Sequence, residues 1–115
     1  VCSSDLLQLF NNEARTIALV GNEVQPRYSC EILPLEKSGV EEWMRVLHEA
    51  NIQSILVEGG AGILQSFIAS GLWDESRVFT SNKKIEKGLK APLQPGVLYS
   101  EKEMGEDRLT VTVNK

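Results

Sequence analysis

The sequence is poor in the residues that most often carry protein chemistry. Its 115 residues hold one histidine, His48, and two cysteines, Cys2 and Cys30. The cysteines form no CxxC pattern and are too few for a disulfide framework. One histidine and two scattered cysteines leave no zinc site, so no metal is expected. No Ser/His/Asp set can be assembled around a histidine on the polar side of a helix. The longest apolar runs, such as Ile55–Val57, are far too short to cross a bilayer, so no membrane partner is expected. Excess basic charge is also missing. The formal net charge is −4, with 12 Lys and Arg against 16 Asp and Glu, which argues against a nucleic-acid partner. The chain opens on Val1, and no charged-then-apolar leader pattern follows. The expected compartment is the cytoplasm.

What is present is ordinary globular composition, 42% hydrophobic and 24% charged. That supplies enough apolar surface to offset chain entropy. A chain of this length reads as one domain and hides roughly two thirds of its unfolded surface. Residues 1–14 are polar and irregular apart from an apolar patch at Leu6, Leu7, Leu9 and Phe10. Thr16–Val20 reads as a short buried strand ending at Gly21-Asn22. Tyr28–Leu33, between Pro26 and Pro34, reads as a short or edge strand.

Val40, Trp43, Met44 and Leu47 recur at helical spacing, with Glu41, Glu42, Arg45, His48 and Glu49 on the remaining surface. Ser38 and Glu41 suit a capping box, Asn51 suits a left-handed stop, and Trp43 suits the helix–sheet core. Gln53–Glu58 is apolar on both faces in its middle, which predicts a central parallel strand. Ile63, Leu64, Phe67 and Ile68 predict a second helix closed by Gly71. Strands are predicted at Trp73–Thr80, Val97–Ser100 and Arg108–Val113, with a Lys-, Gly- and Pro-rich loop over 81–96. Strands alternating with helices call for crossovers and a parallel sheet, with the last two strands as an antiparallel addition.

The most informative run is Ile55-Leu56-Val57-Glu58-Gly59-Gly60-Ala61-Gly62: strand, acid, glycines, helix. Ligands of open parallel sheets bind outside the carboxyl ends of strands. Glycines let backbone N–H groups approach a ligand, and a helix start favours a phosphate. Glu58 could accept hydrogen bonds from a ligand. The bland alternative is a tight turn whose glycines serve only positive φ. Lys83, Lys84, Lys87 and Lys90 could attract a phosphorylated substrate, or simply be solvated, with Glu86 weakening their field. Asp74 could act on a ligand, cap its turn or pair with Arg77. Cys30 suits a small apolar filler better than a nucleophile.

Across Ile52–Pro92 the residues Ser54-Ile55-Leu56-Val57-Glu58-Gly59-Gly60, Leu64, Ser66-Phe67, Gly71-Leu72-Trp73-Asp74-Glu75, Arg77-Val78-Phe79 and Gly88-Leu89-Lys90-Ala91-Pro92 closely resemble the reductase domain of the bifunctional riboflavin-biosynthesis deaminase/reductase. The fit is looser before residue 40, and residues 1–6 show no likeness. The resemblance implies an α/β fold of dihydrofolate-reductase type: a mainly parallel sheet flanked by helices, with antiparallel C-terminal strands. It implies NADPH-dependent reduction of 5-amino-6-(5-phosphoribosylamino)uracil to the ribitylamino product. Glu58 would correspond to the family's substrate-binding acid. Gly59, Gly60, Ala61, Gly62, Ile63, Leu64, Gln65 and Ser66 would correspond to its cofactor stretch. No catalytic residue is assigned. The family's reductase domain is nearly twice as long, so residues 1–115 are expected to be its C-terminal portion, without the zinc deaminase signature. A homodimer would fit the family. The alternatives are another pteridine or pyrimidine reductase on the same fold, or a nucleotide-binding fragment with an incomplete site.

Overall fold

The computed structural model describes residue 11, residues 13–22 and residues 30–115. These divide into two compact units, Val1–Ile55 and Leu56–Lys115.

The first unit pairs β1 (Ile17–Gly21) with β2 (Glu31–Leu35) in parallel, Ile17 opposite Glu31 and Gly21 opposite Leu35. The predicted strand at Thr16–Val20 is thus present. Of the strand predicted at Tyr28–Leu33, Glu31–Leu33 lies in β2, which runs on through Pro34 to Leu35, while Tyr28 and Ser29 lie outside the described residues. Pro34 is tolerated because a two-stranded sheet leaves each strand an edge that needs no donor. At the foot of the pair, Arg15 donates from Nε and Nη2 to the two carboxylate oxygens of Glu31, at 2.8 and 3.0 Å.

Helix α1 (Val40–Glu49) packs on β2. Val40 and Val46 are buried, while Trp43, Met44 and Leu47 are only half-buried. Burying each valine is worth about 1.5–3 kcal/mol. The buried face therefore lies beside the predicted stripe, and Trp43 is not fully enclosed. Glu42, expected on the polar surface, is buried at 6% exposure. The expected Ser38/Glu41 capping box does not form. The helix starts one residue later, with Gly39 as N-cap at φ 110° and no side-chain cap bond. Glu42, not Glu41, then occupies the third helical position, and its Oε1 accepts the Glu36 N–H at 2.9 Å. Arg45 closes the arrangement by donating from Nε to Oε2 and from Nη2 to Oε1, both at 2.8 Å. The helix ends as expected. Asn51 has φ 62°, its N–H bonds the His48 carbonyl at 2.9 Å, and the Ile52 N–H bonds that of Leu47 at 3.0 Å. This is a Schellman closure, with Asn in the place more often held by glycine.

Gln53–Glu58 is not a strand. An apolar strand needs ladder partners for its backbone N–H and C=O groups, and among the described residues this segment pairs with none. Leu56 is accordingly 83% exposed, and the boundary between the two units falls inside the segment.

The second unit holds α2 (Ala61–Ser70), β3 (Glu75–Thr80), β4 (Val97–Met104) and β5 (Asp107–Val113). The strands form one antiparallel sheet in the order β3–β5–β4. The C-terminal strands are antiparallel, as expected. β3 departs from expectation, because it pairs antiparallel with β5 (Glu75 opposite Val113, Thr80 opposite Arg108) and joins no parallel sheet. The mixed α/β class therefore holds, while parallel pairing among the described residues is confined to β1 and β2. β4 and β5 meet through a two-residue turn at Gly105-Glu106, where Gly105 has φ 67°. A bulge interrupts their register between Leu98 and Ser100. The loop over 81–96 carries no helix or strand, as predicted. Phe67 and Val111 are the buried apolar side chains of this unit. Among the described residues, no helix is long and apolar enough to cross a membrane.

Candidate functional site

The run Glu58-Gly59-Gly60 leads straight into α2, with Gly60 as its N-cap at φ −70° and ψ 167°. The residues of positive φ are elsewhere: Gly39, Asn51, Gly71, Gly96 and Gly105. Gly59, Gly60 and Gly62 adopt backbone angles that any residue can take, so positive φ is not what they serve. What they provide is bare backbone. A Cβ added at Gly60 or Gly62 would meet nothing within 4 Å, and one at Gly59 would make only ordinary contact with Ile63 at 3.5 Å.

The helix start is also undefended. No side chain caps it, and no acidic residue lies in its first turn. The N–H groups of Ala61, Gly62 and Ile63 have no acceptor among the described residues, since α2 begins its own ladder with Leu64 N–H to Gly60 C=O at 3.3 Å. Such orphan donors, aligned with the helix dipole, suit an anion. Gly62, Ile63, Gln65 and Ser66 are exposed, while Ala61 and Leu64 are half-buried. The Ser66 hydroxyl donates back to the Gly62 carbonyl at 2.9 Å. Glu58 is exposed two residues before the N-cap, where its charge would oppose an anion but suit a ligand's N–H or hydroxyl groups.

The remaining candidates fall outside this constellation. Lys83, Lys84, Lys87 and Lys90 are all exposed in the 81–96 loop, and no ion pair among the described residues engages them. Arg77 pairs with Glu75 at 2.5 Å and not with Asp74, because residues two apart share a strand face. Asp74 instead accepts the Asn114 N–H on its backbone carbonyl at 2.9 Å. His48 is exposed, and Cys30 is half-buried and free. No group of three or more His, Cys, Asp or Glu among the described residues could hold a metal ion.

Two residues escaped sequence reasoning. Glu42 gave no signal because its partner is a backbone N–H six residues upstream. Its carboxyl is held down at about 2, first by the Arg45 hydrogen bonds and next by the Glu36 N–H. Asn114 sits next to last in the chain, and its Nδ2 donates to the carbonyls of Gly71 at 3.0 Å and Trp73 at 2.9 Å. Its partners lie more than forty residues away, and no local pattern announces such a bond.

Fold and site together define a mixed α/β protein whose second helix opens on a glycine-bare N-terminus, with its first N–H groups unpartnered among the described residues. The chain belongs to the RibD C-terminal domain family, which matches residues 1–85. This is the C-terminal domain of the riboflavin-biosynthesis deaminase/reductase, and that reductase family implies a nicotinamide cofactor. No curated protein matches the chain.

Proposed function

We propose that this chain carries the cofactor-binding part of an NADPH-dependent reductase acting on 5-amino-6-(5-phosphoribosylamino)uracil in riboflavin biosynthesis. The observation that carries the reading is the start of α2: three N–H groups unpartnered among the described residues, beside Gly60 and Gly62, whose Cβ positions are open. The backbone of Gly59, Gly60, Ala61, Gly62 and Ile63 would receive the dinucleotide phosphates. Leu64, Gln65 and Ser66 would flank them on the next turn. NADPH, when bound, supplies the hydride that opens the ribose of the substrate to a ribityl chain. The protein's share is to hold and orient, and Glu58 would do so by accepting hydrogen bonds from the substrate. On this reading the chain works in the cytoplasm, takes a phosphorylated ribosylaminouracil as small-molecule partner, and forms a homodimer.

A second reading is a nucleotide-binding piece whose active site needs further protein. The exposure of Leu56 and of Leu89, at 83% and 95%, favours it, since both belong to the run that resembles the reductase.

An NADPH titration of this chain, followed by tryptophan fluorescence beside circular dichroism, tests the first reading. Saturable binding is expected, and Gly60→Val should abolish it with secondary structure intact, because a side chain there meets no neighbour in the protein. Normal NADPH binding by Gly60→Val would overturn the assignment of the turn. A folded wild-type chain that binds no NADPH would mean that even the cofactor site needs contacts from further protein.

A further inference from the structure

One side chain fastens the far end of the helix that would hold the cofactor. The Asn114 Nδ2 donates to the Gly71 carbonyl at 3.0 Å and to the Trp73 carbonyl at 2.9 Å, while its backbone N–H donates to the Asp74 carbonyl at 2.9 Å. These three bonds run from the residue just after β5 to the whole link between α2 and β3. Gly71, at φ 71°, is the left-handed C-cap of α2. The Trp73 ring has a second close neighbour in Gly96. A Cβ on Gly96 would lie 2.9 Å from the Trp73 ring and 2.6 Å from the Val113 carbonyl oxygen, so glycine alone admits this approach. The link therefore has two fixings, the Asn114 amide and the Gly96 gap, and both meet the chain at the end of β5.

We infer that Asn114 is a positioning residue, which sets the direction of α2 and thereby the place of its N-terminal donors. This rests on the cofactor reading of the glycine turn. A ten-residue helix is about 15 Å long, so a tilt of about 10° at the Gly71 end moves the opposite end by roughly 2–3 Å. Displacement on that scale is enough to ruin hydrogen bonds to a phosphate, and misplacement by about 1 Å can already cost a site roughly a hundredfold. The hydrogen bonds of Asn114 all reach the Gly71 end of α2, away from Gly60, so its effect passes through the helix. It also lies beyond residues 1–85, the span matched by the family.

The test compares the full chain with Asn114→Ala and Asn114→Asp. The second keeps the shape but turns a carboxylate toward two carbonyl oxygens. NADPH affinity is measured by calorimetric titration, and amide hydrogen exchange is followed along the chain. The expected result is NADPH binding weakened roughly tenfold or more, with faster exchange confined to α2 and an unchanged β4–β5 ladder. Wild-type affinity in both variants would overturn the role of Asn114 while leaving the cofactor reading standing. Lost protection throughout β3, β4 and β5 would also overturn it, because that marks general structural support. If the wild-type chain binds no NADPH, the cofactor reading fails. The exchange pattern then decides alone, and unchanged α2 protection in the variants would refute the positioning.

Discussion

Glu42 shows how a charged residue becomes internal when its neighbours satisfy it. Burial alone would raise its pKa, yet the carboxyl is held at about 2, because the Arg45 guanidinium and the Glu36 N–H bond the charged form. The sign follows directly. The folded-state value lies below the ordinary carboxylate value of 4.5, so the interaction stabilises the fold fully above that value. It is lost as pH falls from about 4.5 toward about 2. Thermal melts across that range should show wild type losing stability more steeply than Glu42→Gln, which has no carboxylate to protonate. Parallel pH profiles would contradict the assignment.

At the scale of elements, the ends of helices and strands were the most legible features and also the easiest to misplace by one residue. Asn51 and Gly71 close their helices in the left-handed region, as their residue types suggested. The N-terminal cap of α1 failed because a one-residue shift moved Glu41 out of the third helical position and Glu42 into it. Gly96 gave no signal beyond being glycine in a loop, yet it is the most constrained of the nine. It combines φ 115° with a Cβ position 2.6 Å from a backbone oxygen. Gly96→Ala should therefore destabilise the chain by roughly 2–3 kcal/mol in denaturant unfolding. Gly60→Ala, at a permissive conformation with open space around it, should change stability by less than about 1 kcal/mol. Equal effects at the two sites would show that the Gly96 approach is relaxed in solution.

For the whole molecule, exposed apolar surface is the main physical consequence of the architecture. Ile85, Leu89 and Leu93 stand out from the 81–96 loop, and Phe79 and Tyr99 from the sheet. All eight residues of β4 are exposed, and its outer edge has no ladder partner among the described residues. Glu101, Lys102 and Glu103 place charges along that edge, the usual guard against edge-to-edge pairing. Exposed apolar side chains in such number should bind a hydrophobic reporter dye while the far-ultraviolet circular dichroism remains that of a folded α/β chain. A folded chain with no dye binding would show these side chains covered in solution.

The sequence by itself determined the features that depend on neighbours along the chain. These were the periodic helices, the alternating strand Arg108–Val113, the left-handed stops, and the glycine run that carries the family likeness. Each arises from spacing, side-chain shape or backbone freedom within a few residues. Only the tertiary structure decided what depends on distant partners. It set β3 against β5 in antiparallel register, left Gln53–Glu58 without a ladder, buried Glu42, and fixed the α2–β3 link through Asn114. An apolar run predicts that a segment wants burial, but a strand exists only where another strand offers its hydrogen bonds. That offer comes from residues the local pattern does not contain.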